Sequence, residues 1–195
     1  MKRRTVTVGA TLLAALWGCA SPEPDNLRET WLDPDYRSVP VIDIAVLKPQ
    51  VASPAAEPLA FEMRQAARAY LLESKAYSTL ADQRVDADAA AAAVDAASDG
   101  PTAARAFESA DAVCLIRVTE WDRDWLTPRG VVYATGEVAI YARRDGRRLY
   151  ESTFKRERLM GPGSVSDLNV GEAERAMARE LMKLSLAGFP RKITR

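Results

Sequence analysis

The sequence predicts a single mixed α/β (α+β) domain, one sheet with a C-terminal β-meander hairpin covered by helices, and three observations predict it. Val41–Leu47 reads VIDIAVL, apolar on both faces, as a strand lying inside a sheet should be. In GVVYATGEVAIYARRDGRRLYESTFKRE, two alternating runs meet around Asp145-Gly146, the chemistry of a hairpin turn. Apolar residues at helical spacing fill Leu59–Leu71 and Leu168–Ala187. With 195 residues, 48% hydrophobic and 28% charged, the chain has material for one core.

The elements follow in order. Met1–Arg4 is basic, and Val6–Trp17 is an apolar run of 12 residues. That is too short for a membrane span, which needs about 20, but suits a signal-peptide core. Leu16, Trp17 and Gly18 then precede Cys19. This box resembles a bacterial lipoprotein signal, cut before a cysteine that becomes the lipid-bearing first residue; Trp17 stands where that pattern has a small residue. The resemblance implies a signal peptide over 1–18, acyl lipid such as palmitate on Cys19, and, because Ala20 rather than aspartate follows, the periplasmic face of the outer membrane. Ala20–Pro40 is rich in proline and lacks apolar periodicity, so 19–40 reads as anchor and flexible tether, with the domain at 41–190. Fully extended, such a tether spans about 70 Å.

Strand Val41–Leu47 leads to a helix starting at Ser53-Pro54 or Glu57-Pro58, both acceptable N-termini, with Leu59, Met63, Ala66, Ala67, Tyr70 and Leu71 on one face. AYSTLA is a short strand, VDADAAAAAVDAA an alanine-rich helix with acids near its start, and Thr102–Ser109 a further short helix. ADAVCLIRVTEW is a strand with Cys114, Ile116 and Val118 on one face and Val113, Leu115 and Arg117 on the other. After the hairpin, Gly161-Pro162-Gly163 breaks the chain, and a last helix carries Val170, Ala173, Met177, Leu181 and Leu184 as its stripe before Gly188 and Pro190 end it.

Composition removes several functions. No histidine is present, which excludes Ser-His-Asp and Cys-His pairs and imidazole zinc sites. Lys plus Arg equals Asp plus Glu at 27 each, and loss of the first 18 residues would leave a net charge of −3, so nucleic acid is not an expected partner. Ser164 and Ser166 have no base, the scattered Asp86, Asp88, Asp95 and Asp99 lack calcium-loop spacing, and Gly161-Pro162-Gly163-Ser164 lacks the Lys-Ser/Thr pair of a phosphate loop. No catalytic residue, metal or cofactor is expected.

Two features suggest binding instead. Trp121 and Trp125 bracket Asp122, Arg123 and Asp124 in a connection that runs to Arg129, rich in indole for a turn between strands; one of the two is expected to pack on the sheet, and the other, if exposed, to anchor an interface. Arg143, Arg144, Arg147 and Arg148 surround the Asp145-Gly146 turn as a basic cluster, suited to phosphate head groups or an acidic partner. The expected partner-binding residues are therefore Trp121, Trp125, Arg129, Arg143 and Arg144.

The order of these elements resembles the TolB amino-terminal and CsgG periplasmic domains, and within that group the GNA-type neisserial lipoproteins. The residues carrying the resemblance are IAVLKPQVASP, ADAVCLIRVTEW and GEVAIYARRDGRRLYEST. It implies a lipid-anchored, non-catalytic envelope component that works beside other envelope proteins, a CsgG-like lipoprotein among them. The alternatives are a cell-wall synthase activator of the LpoB type, or an envelope small-ligand binder or enzyme.

Overall fold

The structure, a computed structural model, describes residues 27–91, 99–161 and 169–192. The expected signal peptide, Cys19, the end of the alanine-rich helix and, in the Gly-Pro-Gly break, Pro162 and Gly163 lie outside these residues. The described strands are β1 (Leu27–Leu32), β2 (Asp43–Val46), β3 (Gln50–Val51), β4 (Ser78–Thr79), β5 (Ala112–Asp122), β6 (Val131–Ala142) and β7 (Arg148–Met160). The helices are α1 (Ala60–Ala69), α2 (Asp82–Ala91), α3 (Gly100–Ala106), α4 (Leu126–Arg129) and α5 (Val170–Leu186). All seven strands form one sheet in the order β1-β7-β6-β5-β2-β4, with β3 also paired to β5. β2, β3 and β4 are parallel additions, whereas β5, β6, β7 and β1 run antiparallel in turn. This is the mixed α/β class that the sequence predicts.

Alternation along β5 decides which helices cover which face. Cys114, Ile116 and Val118 join Ile44, Val46, Val138, Ile140 and Phe154 in the larger core, closed by Met63 and Ala67 of α1 and Met177 and Leu181 of α5. Val113 and Leu115 point the other way, into a smaller core with Ala45, Val85, Ala103 and Phe107 under α2 and α3. A strand covered on both faces is apolar where it is covered, which explains Ile44–Leu47 of VIDIAVL; ahead of them Ile42 is exposed and Asp43 half-buried.

Cys114 is fully buried. Burial pushes its thiol up to about 12, so the thiolate that attacks thiol reagents is scarce at neutral pH. In the native protein Cys114 should resist a maleimide that labels it readily in denaturant, and Cys114→Val should cost under about 1.5 kcal/mol. The fold holds this proton more tightly than the unfolded chain does. Stability is therefore level below the ordinary thiol range and falls as pH climbs from there towards 12, a decline reduced in Cys114→Val. Fast native labelling contradicts this placement.

The expected tether is shorter than its composition suggests. Leu27–Leu32 is an edge strand in register with Lys155 down to Tyr150 on β7. Arg28 adds an ion pair to Glu157 at 2.5 Å and donates to the Leu184 carbonyl at 3.1 Å. Beyond it, Tyr36 meets the ring of Phe189 at 5.4 Å, and Tyr77 and Tyr150 close on the same ring at 5.2 and 5.4 Å. The sheet therefore includes Leu27–Leu32, ahead of the expected start at 41. An edge strand with little buried surface needs no apolar alternation, because the backbone ladder to β7 holds it; LRETWL accordingly reads as loop.

The hairpin is also wider than a two-residue turn. Tyr141 pairs with Arg148, and the Ala142 N–H donates to the Arg147 carbonyl at 2.8 Å, leaving Arg143–Asp145 and Gly146 to make the turn. Gly146 takes φ +74°, a left-handed backbone that glycine adopts without cost.

Candidate functional site

The expected binding residues separate into two poles of the sheet. At the first pole, β5 and β6 depart from regular register, β5 between Val118 and Glu120 and β6 between Ala134 and Gly136 in its pairing with β7. The extra residue in β5 returns Trp121 to the face of Cys114, Ile116 and Val118. Trp121 is only 3% exposed, and its Nε1–H donates to Glu174 Oε1 of α5 at 3.3 Å. The expectation that Trp121 meets a partner is thereby corrected: it is core, placed there by a bulge that period-2 counting does not register.

The connection that follows folds into α4 rather than a loose hairpin. Leu126 is buried beneath it, and Gly130 ends it at φ +63°. Trp125 stays outside, 40% exposed, with the Arg129 guanidinium 4.4 Å above its ring. Met160, 67% exposed, ends β7 opposite Val131, whose N–H donates to the Trp125 carbonyl. Trp125→Ala removes an exposed cation–π contact and little core, so it should cost under about 1 kcal/mol. A chemical denaturation curve that moves by several kcal/mol would make Trp125 a packing residue.

At the opposite pole the four turn arginines part company. Arg147 pairs with the buried Asp33 at 2.9 Å, and Arg148 pairs with Glu151 while covering the Trp31 ring at 4.8 Å. These two are spent on the fold. Arg143 and Arg144 are exposed, and among the described residues neither has an acidic partner. With Arg105, Val39, Pro40 and Asp111 they line an open groove of about 590 Å³. Asp111 does not neutralise them fully, because its Oδ2 accepts from the Ile42 and Asp43 N–H groups at 2.9 and 3.1 Å. The floor is held by the Arg143 N–H donating to the Asp111 carbonyl at 2.8 Å, and Arg105 Nη1 donates to the Asp145 carbonyl at 3.3 Å. Arg105 was not legible as a site residue: it sits near the C-terminus of α3, 38 residues before Arg143, and only the fold joins them.

β6 runs from the first pole to the second, so about 40 Å of strand separates Trp125 and Arg129 from Arg143 and Arg144. They are two surfaces rather than one. Among the described residues no group of three or more His, Cys, Asp or Glu side chains is placed to hold a metal, and no described helix is long and apolar enough to cross a membrane.

No family model matches the chain, and no curated protein does. Solved structures do. The PelC dodecamer from Paraburkholderia phytofirmans aligns with a TM-score of 0.53 at 12% identity, covering 86% of this chain and 99% of that one. Lipoprotein GNA1162 from Neisseria meningitidis is 21% identical over 72% of this chain and 97% of its own, with a TM-score of 0.48. The hypothetical protein CT253 from Chlamydia trachomatis is 16% identical over 75% and 94%, with a TM-score of 0.47. The likeness to PelC shows a shared fold, spanning nearly all of that chain.

Proposed function

We propose that this protein is a lipid-anchored lipoprotein on the periplasmic face of the outer membrane, acting without catalysis as an assembly component. In this reading it presents the Arg105–Arg143–Arg144 groove to an acidic segment of another envelope protein, a CsgG-like lipoprotein being one such partner. The observation that carries the reading is the pair of exposed guanidinium groups of Arg143 and Arg144, unpaired among the described residues, on a groove at the end of β6. Guanidinium forks match carboxylates bidentately, and two heads beside a third give register as well as attraction. The Leu16-Trp17-Gly18-Cys19 box supports the anchor, the absence of histidine from the whole sequence supports a non-catalytic role, and a fold shared with a dodecamer supports assembly.

The groove is tested by Arg143→Glu combined with Arg144→Glu. Both side chains are exposed, so the melting temperature should stay within a few degrees. Capture of the acidic partner after crosslinking in cells should fall by about tenfold or more, and in vitro the wild-type complex should weaken as salt rises. Partner capture unchanged by double charge reversal contradicts the groove. The anchor is tested separately: Cys19→Ala should abolish lipid labelling and release the protein from the membrane fraction, whereas undiminished labelling contradicts it.

A further inference from the structure

We infer that the Trp125 pole is a membrane-contact face, which seats α4 and the end of β7 on the phospholipid surface that receives the lipid anchor. This rests on the anchor reading of Cys19 and extends it from a covalent tie to a defined orientation. Leu27 lies eight positions after Cys19 in sequence, which at full extension is about 28 Å. Leu27 pairs with Lys155 and β7 continues five residues further to Met160, about 17 Å, towards the pole that carries Trp125. An extended chain from Cys19 therefore clears the tip of the domain by only about 11 Å, no more than the diameter of one helix. A protein domain has no room between this tip and the bilayer.

The tip combines exposed apolar side chains with a guanidinium, next to the exposed Arg123 and Asp124. Trp125 and Met160 are 40% and 67% exposed, and Leu27, 46% exposed, lies on the strand that leads back towards Cys19. Arg129 stacks on the Trp125 ring, which places an apolar plate and a phosphate-binding fork on one short helix. Amphipathic indole and guanidinium groups of this kind settle at head-group depth. Lying on the β1 edge is the competing orientation, since Trp31 is 41% exposed. That edge would press unpaired backbone N–H and C=O groups into lipid, where no water satisfies them. The tip presents side chains instead, and it leaves the Arg143–Arg144 groove about 40 Å away, facing the periplasm.

Depth-dependent quenching tests this. The full chain with Trp17→Phe, purified from membranes, is reconstituted into vesicles of phosphatidylethanolamine and phosphatidylglycerol with brominated acyl chains, and acylation of Cys19 is read by mass spectrometry. A third or more of the tryptophan emission should be quenched. That quenching should vanish in Trp125→Phe and persist in Trp31→Phe. Quenching lost in Trp31→Phe and kept in Trp125→Phe overturns the tip orientation in favour of the edge. Shielding of Trp125 from aqueous acrylamide by a co-purified protein, without lipid, overturns it in favour of a protein partner. Acylated Cys19 with unquenched Trp125 refutes the docking alone, and bare Cys19 with quenched Trp125 refutes the anchor alone.

Discussion

Trp121→Ala should destabilise the domain by about 3–5 kcal/mol, the range for emptying a buried aromatic site. The indole is 3% exposed and fills the space where β5, the end of β6 and α5 converge; Leu126, Val132 and Ala173 belong to the same core. Its loss also strands Glu174, a side chain 9% exposed whose Oε1 accepts from the indole and whose other oxygen meets Arg123 at 3.9 Å. A carboxylate left in that position adds a desolvation cost to the cavity. Against a total stability of about 5–15 kcal/mol, this removes a large fraction. Urea denaturation should show a lower midpoint with the slope retained. Trp121→Phe recovers most of the volume and should lose clearly less. An effect of Trp121→Ala below about 1 kcal/mol would contradict the core assignment and return this residue to the surface.

Gly136→Ala should be the second large loss, about 3 kcal/mol and of the opposite sign to the usual gain when glycine is replaced in a strand. A Cβ at this position would lie 2.1 Å from the Arg117 carbonyl oxygen and 2.9 Å from Phe154 Cζ. The aromatic ring can shift, but the carbonyl belongs to the paired strand β5 and moves only if the sheet does. Glycine here lets β5 and β6 approach next to the two register shifts, which bend the upper sheet and aim Trp121 inward. If Gly136→Ala were as stable as wild type, the close approach would be absent in solution. Thr135→Ala, at the adjacent position, is the control and should cost far less.

Much of this fold is legible because its strongest signals are local. Ile44–Leu47 of VIDIAVL, the alternation through Cys114, Ile116 and Val118, and the Val170–Leu184 stripe each state their own burial and each packs where the sequence places it, while Ile42, ahead of β2, is exposed. Strand β1 is not legible, because an edge strand is held by its neighbour's backbone and leaves little mark on its own side chains. The candidate site is legible only as a parts list. Trp125, Arg129, Arg143 and Arg144 are exposed as expected. Trp121 moves to the core through one extra residue in β5, Arg147 and Arg148 turn out to be paired, and Arg105 joins the groove from a different element. Bulges and long-range ion pairs are properties of packed strands, and no spacing within one segment encodes them.

In this reading the two poles of the sheet have different occupants, lipid at Trp125 and an acidic envelope protein at Arg143 and Arg144. A photo-crosslinking residue placed in cells at position 144, and separately at position 125, tests it most directly. Position 144 should give a discrete protein adduct, lost on adding Arg143→Glu, and position 125 lipid adducts alone. A protein adduct from position 125 with none from position 144 would contradict it.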